Sequence, residues 1–218
     1  MENKALEQMK KQHVNNYKNA ILDIISNNTS ALIGDIRILI KKPPLETMDL
    51  IKVRFLSLAK KNKVILNTVK LDKKIDGFRN NLLKICVEIE ELRVKRLTEI
   101  VKREKITDKE VIKINKKDFI DINREIKKIF KSEFDESVDS LLNKLECIFS
   151  EDIDVKIKNL IINEITKYIK NNYLKQLLEN FDIKILVKDT TLINSIKEQN
   201  ERYKFTLNNS RILNDLDK

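Results

Sequence analysis

"LDKKIDGFRNNLLKICVEIEELRVKRLTEIVKREK", residues 71–105, is the stretch on which the fold turns. Leu71, Ile75, Phe78, Leu82, Ile85, Ile89 and Leu92 follow one another in alternating steps of four and three. That spacing is a heptad seam, the period of a helix that lays one apolar face against others, and a strand would repeat every second residue instead. The seven seam residues are therefore the candidate partner interface of a long central helix over about 71–105. The next seam places are Arg96 and Glu99, while the apolar stripe resumes at Leu97, Ile100 and Val101. A local change of phase of this kind turns the second half of the helix toward a different neighbour.

The same helix is heavily charged. Residues 87–110 hold fourteen charged side chains in twenty-four. Arg93 and Arg96 are three apart and Arg103 lies seven beyond Arg96, which puts the three guanidinium groups on one side, with Lys95 and Lys102 on an adjoining row. With Lys105 these are the candidate nucleic-acid-binding residues, because a row of forked or flexible cations contacts phosphates without any special backbone. The plainer alternative is a solvated face held by pairs with Glu99 and Glu104. Aromatics are 6% of the chain, Trp is absent and no Tyr or Phe interleaves the cluster, so any such contact would be electrostatic and blind to sequence.

Outward from that helix, composition narrows the classes. The 218 residues suffice for one domain or two modest ones with a real core. Only two Gly and two Pro are present, Gly34 and Gly77 being far apart, which excludes phosphate-loop and dinucleotide fingerprints and disfavours turn-rich sheet folds. His13 is the only histidine and lies on a helical stripe, with no nucleophile or paired carboxylate near it in sequence. No catalytic residue, cofactor or metal is expected, and the chain does not read as an enzyme. Cys86 and Cys147 sit in amphipathic patterns and are expected to be reduced core thiols. With no apolar run long enough for a span and no signal-peptide pattern at the start, membrane insertion is not expected and a cytoplasmic location is.

The rest of the chain reads as a series of helices. One from Leu6 is expected to stop at "SNNTS", residues 26–30, and "ALIGDIRILIKK" is a buried helix or a strand. Pro43 and Pro44 suit a helix start, and Thr107 with Glu110 reads as a capping box. Separate helices are expected through Phe119–Ile129 and Phe134–Ile148, then one behind the acidic cap "SEDIDVKIKN". In the tail "FDIKILVKD" and "ERYKFTLNN" alternate, so it reads as strand or helix. The expectation is an all-α, elongated bundle over 1–180 with a small C-terminal module over 181–218 containing a β-hairpin.

Charge is segregated. Residues 93–131 carry fourteen basic and seven acidic side chains, residues 132–154 one basic and eight acidic, and residues 41–74 ten basic and three acidic. The whole chain is at +10, which favours polyanionic partners. Protein partners or a second copy through helix faces, with nucleic acid through the basic faces, are the expected partners.

The run "EIEELRVKRLTEIV", Glu88 to Val101, ends a long helix and is followed by a break and the shorter helix "NKKDFIDINREIKKIF". Leu92, Arg93, Arg96 and Leu97 in that setting resemble the helical domain of GINS DNA replication subunits. The family attaches a small β-rich module, to which "IKILVKD" and "RYKFTLNN" would correspond in reduced form. Its aromatic-acid signature near the first helix, and the glycine and proline of its β module, have no counterpart here. The resemblance implies a non-catalytic subunit that couples a replicative helicase to partners, with helices 71–105 and 134–178 mainly subunit interface. A direct, sequence-nonspecific nucleic-acid-binding module is the alternative.

Overall fold

A computed structural model describes residues 2–41, 48–104, 106 and 110–216, with side chains over 7–41, 51–104, 106 and 110–209. Within these residues the chain is all-α: α1 (Glu2–Lys41), α2 (Met48–Lys61), α3 (Thr68–Arg103), α4 (Lys116–Leu142), α5 (Val155–Tyr168) and α6 (Leu174–Leu216). A 3-10 turn, Glu146–Ile148, precedes α5, and a π-helical turn, Ile169–Tyr173, joins α5 to α6. Among the described residues the only β pairing is an isolated antiparallel bridge between Leu66 and Phe149, beside which the Asn67 N–H donates to the Ile148 carbonyl at 2.8 Å.

Each long helix follows an unbroken buried row. In α1 it runs Tyr17, Ile21, Ile25, Thr29, Leu32, Ile36 and Ile40. The break expected at 26–30 does not occur, because Thr29 continues the row and tertiary burial outweighs the weak helix preference of Ser, Asn and Thr. In α4 the row Phe119, Ile122, Ile126, Phe130, Phe134, Val138 and Leu141 crosses residues 131–133 without interruption. The two helices expected there are one, since neither Gly nor Pro intervenes.

The tail requires the largest correction. Leu177, Phe181, Ile185, Asp189, Leu192, Ile196, Asn200 and Tyr203 are buried at steps of three and four along a single helix, so the C-terminal β-hairpin is absent and α6 passes through the boundary expected at 180/181. In "FDIKILVKD" only Ile185 of the alternating trio is buried, with Ile183 and Val187 at 60% and 55% exposure. A helical stripe sustained over seven turns decides against a five-residue alternation.

At the start of α4 the sequence signals also need revision. Glu110 lies outside any helix, and α4 begins at Lys116, where the Asn115 N–H donates to Asp118 Oδ2 at 2.9 Å and the Asp118 N–H returns to the Asn115 carbonyl. Thr107, Pro43 and Pro44 lie outside the described residues. The acidic start of α5 holds: Asp154 is its N-cap, accepting from the Lys156 N–H at 2.7 Å. Cys86 is buried as expected, but Cys147 is exposed on the 3-10 turn, whose inward residues are Leu145, Ile148 and Phe149.

The chain divides into two compact units. Unit 1 comprises residues 1–32, 90–124 and 185–218, and unit 2 comprises 33–89 and 125–184. Unit 2 is built on an aromatic cluster. Phe78 meets Phe134 edge-on at 5.7 Å between ring centroids, Phe134 stacks on Tyr173 at 5.9 Å, and Phe130 stacks on Phe181 at 5.5 Å. Leu71, Ile75, Phe78, Leu82, Ile85 and Ile89 are all buried in this unit, and α2 packs beside α5. The seam offered as a partner interface is thus buried within the chain, Phe78 lying against Phe134 of α4 and Tyr173 of the π-turn, with Leu92 half-buried. Each fully buried seam side chain contributes about 1.5–3 kcal/mol to holding the unit together.

Candidate functional site

The six candidate cations do not share one environment. Arg93 is fully buried. Arg96 is half-buried and pairs with Glu99 at 3.4 Å. Lys95, Lys102 and Arg103 are exposed, and no ion pair holds them among the described residues. Lys105 lies outside the described residues. Glu90, Glu91 and Glu99 line the same shallow depression on α3 as Val94, Lys95, Thr98 and Lys102, so this face is mixed in sign.

Arg93 leaves the exposed row for a physical reason. Beyond Cys86 the buried residues of α3 are Ile89, Arg93, Leu97 and Val101, four apart, so the change of phase carries the guanidinium inward. There its Nη2 donates to Asp189 Oδ1 at 2.8 Å and to Asn28 Oδ1 at 3.3 Å, while Nη1 reaches Asn123 Oδ1 at 3.4 Å. Asn123 Nδ2 donates to the second Asp189 oxygen at 2.7 Å, and Asn28 Nδ2 to the Lys188 carbonyl at 2.9 Å. Four helices, α1, α3, α4 and α6, thus meet in unit 1 at one charge pair and two amides. Arg93 Nε and Thr29 Oγ1 are buried without a hydrogen-bond partner among the described residues.

A second polar knot holds the segment between α3 and α4. Ile112 is fully buried, its N–H donates to the Tyr17 hydroxyl at 2.9 Å, and its carbonyl accepts from Asn200 Nδ2 at 3.0 Å. The Tyr17 hydroxyl donates to Asn200 Oδ1, and the Tyr17 and Tyr203 rings stack at 4.1 Å. Burial pushes the Tyr17 hydroxyl above the usual tyrosine range, against the opposing bond from Ile112.

Arg93, Asp189, Asn28 and Asn123 form the assembly that sequence reasoning missed. The signal was available for Arg93, which stands four before Leu97 on the resumed stripe, and an arginine on an apolar row calls for a buried acid. Asp189 was hidden by the strand reading of its segment.

Half of the acidic block, Glu133, Asp135, Glu136 and Asp139, lies on α4, where burial and the neighbouring carboxylates of Glu136 and Glu88 raise Glu133 above the ordinary range. His13 is half-buried. Among the described residues no group of His, Cys, Asp and Glu could hold a metal ion, and no helix is long and apolar enough to cross a membrane. No family model matches the chain, and neither a curated protein nor a solved structure matches it.

Proposed function

We propose that the chain is a non-catalytic helical scaffold, an accessory subunit of a nucleic-acid-associated assembly of the kind the GINS-like segment implies. The observation that carries this reading is the outer face of α6. Leu186 and Val187 stand 68% and 55% exposed there, and one turn on, the hydroxyls of Thr190 and Thr191 donate back to the Leu186 and Val187 carbonyls at 2.9 and 3.0 Å. A helix face with open aliphatic side chains and hydroxyls satisfied by its own backbone has apolar area to lose on contact and few polar groups to desolvate. The Arg93 knot supports the same reading by holding α6 in one position relative to the other helices of unit 1.

Cross-linking of the full chain in its own cells, comparing the native protein with a Leu186→Asp/Val187→Asp variant, tests it. A stoichiometric protein partner, cross-linked through α6 and lost in the variant, is expected. A native chain that sediments as a free monomer from the same cells rejects the reading.

The exposed Lys95, Lys102 and Arg103 favour direct nucleic-acid binding as a second reading. Anisotropy titrations with a short duplex at two salt concentrations separate it from the first. Neutralising all three should flatten the salt dependence by about 0.9 per phosphate contact removed.

A further inference from the structure

The basic stretch 41–74 ends in Lys73 and Lys74, which the scaffold reading leaves unused. On α3 they stand beside Gly77 and Asn81, and across from them α4 contributes Ser137 and Ser140, with Lys144 just beyond its end. Within unit 2 these side chains line a cleft of about 200 Å³, walled also by Phe78 and Leu141. Every polar side chain in the lining has a donor to offer, and no carboxylate lines it.

Three acids beside the cleft in sequence are engaged elsewhere. Asp72 pairs with Lys52 at 2.7 Å, Asp76 with Arg79 at 3.2 Å and Asp139 with Lys170 at 3.8 Å. Among the described residues Lys73, Lys74 and Lys144 have no ion pair, and the side chains of Asn81, Ser137 and Ser140 make no hydrogen bond within the chain. Ser137 is 7% exposed, so its hydroxyl is set into the wall rather than loose on the surface. Gly77 interrupts a helix interior where glycine is disfavoured, yet a Cβ there would meet no heavy atom within 4 Å. Packing does not require the glycine; what it leaves is bare backbone facing an open cleft.

We propose that this cleft binds a terminal phosphate group. Three lysines and three neutral donors lining one cleft with no carboxylate in its wall suit a doubly charged oxyanion. The cleft is smaller than the roughly 300 Å³ at which pockets for whole small molecules begin, so it takes the phosphate and leaves the rest of the ligand outside. The three lysines line one cleft rather than a track along the surface, which favours a monoester or free phosphate over a phosphodiester backbone.

Calorimetric titration of the full chain at low ionic strength with inorganic phosphate, phenyl phosphate and a short single-stranded oligonucleotide tests the assignment. Saturable binding of phosphate or phenyl phosphate is expected, and preference between the two distinguishes a free anion from a monoester. Lys73→Ala/Lys144→Ala should weaken it by a factor of about ten or more, the worth of a charge-assisted hydrogen bond. The equally charged control Lys113→Ala/Lys197→Ala, at exposed lysines in the other unit, should leave it unchanged. Absence of saturation, equal weakening by both double variants, or displacement of phosphate by the oligonucleotide would each overturn the proposal.

Discussion

The two units solve the same packing problem with different chemistry. Unit 2 is held by interlocking rings and a seam of aliphatic residues, whereas unit 1 places a buried Arg93–Asp189 pair and a hydrogen-bonded Tyr17–Asn200–Ile112 knot among its aliphatic rows. Dispersion and hydrophobic burial are non-directional, so an apolar core tolerates small shifts of register and loses stability in proportion to the volume removed. A buried ion pair is directional and contributes little net stability, but removing one partner strands the other in a low dielectric. Unit 1 is accordingly the half whose helices are tied to one arrangement, and unit 2 the half whose stability is graded.

That contrast is most easily broken at Arg93. Arg93→Ala should cost about 3–5 kcal/mol in chemical denaturation, because Asp189 is left buried without its cation. Arg93→Met combined with Asp189→Leu should recover most of that loss, since a well-packed apolar pair can replace a buried ion pair. If the double variant were as unstable as the single one, the ion pair itself, and not the stranded acid, would be the source of stability.

In unit 2 the corresponding change is Leu82→Ala, expected to cost about 2–5 kcal/mol through the cavity it opens. No second substitution at a charged residue should rescue it, and the midpoint should fall without a change in the denaturant slope.

Tyr17→Phe removes the acceptor of the Ile112 N–H and should cost about 1–3 kcal/mol, with faster amide exchange at Ile112 as the local readout. It also probes the alkaline limb. Burial holds the hydroxyls of Tyr17 and Tyr173 above the usual tyrosine value of 10.0, so their contribution is complete below that pH and is lost as pH rises through the folded values. The native chain should therefore weaken in strong alkali, and Tyr17→Phe should remove unit 1's share while leaving that of Tyr173. An absorbance titration in which all four tyrosines ionise together near 10.0 would contradict the burial argument.

The smallest effect is expected from Ile85→Val, about 0.5–1.5 kcal/mol, the loss of one methylene from the seam. A larger loss would mean that unit 2 is as intolerant of small changes as unit 1.

The legibility of these features in the sequence follows their range. The seam Leu71–Leu92 is local: each residue's partner face is set by its own helix, so periodicity alone located it. What covers the seam is non-local, and the stripe read as an interface for another chain meets Phe134 and Tyr173 of the same chain. The strand reading of 181–189 and 201–209 failed because a short alternation was weighed without the longer row from Leu177 to Tyr203, in which Asp189 and Asn200 look like interruptions until their partners are known. Arg93 was placed by its charge when its position four before Leu97 was the better guide. Lys95, Lys102 and Arg103 are on the surface as their type suggests, and Arg96 is only partly so.

The amino-acid sequence by itself determined that the chain is helical, where its apolar rows run, and that its charges fall in opposed blocks, because these depend on the repeat of one helix and on composition. The tertiary structure alone decided which rows cover one another and which cation is buried. It also decided which lysines are left facing an open cleft, since such outcomes depend on residues far apart in sequence being brought together, up to 183 positions for the hydrogen bond between Tyr17 and Asn200.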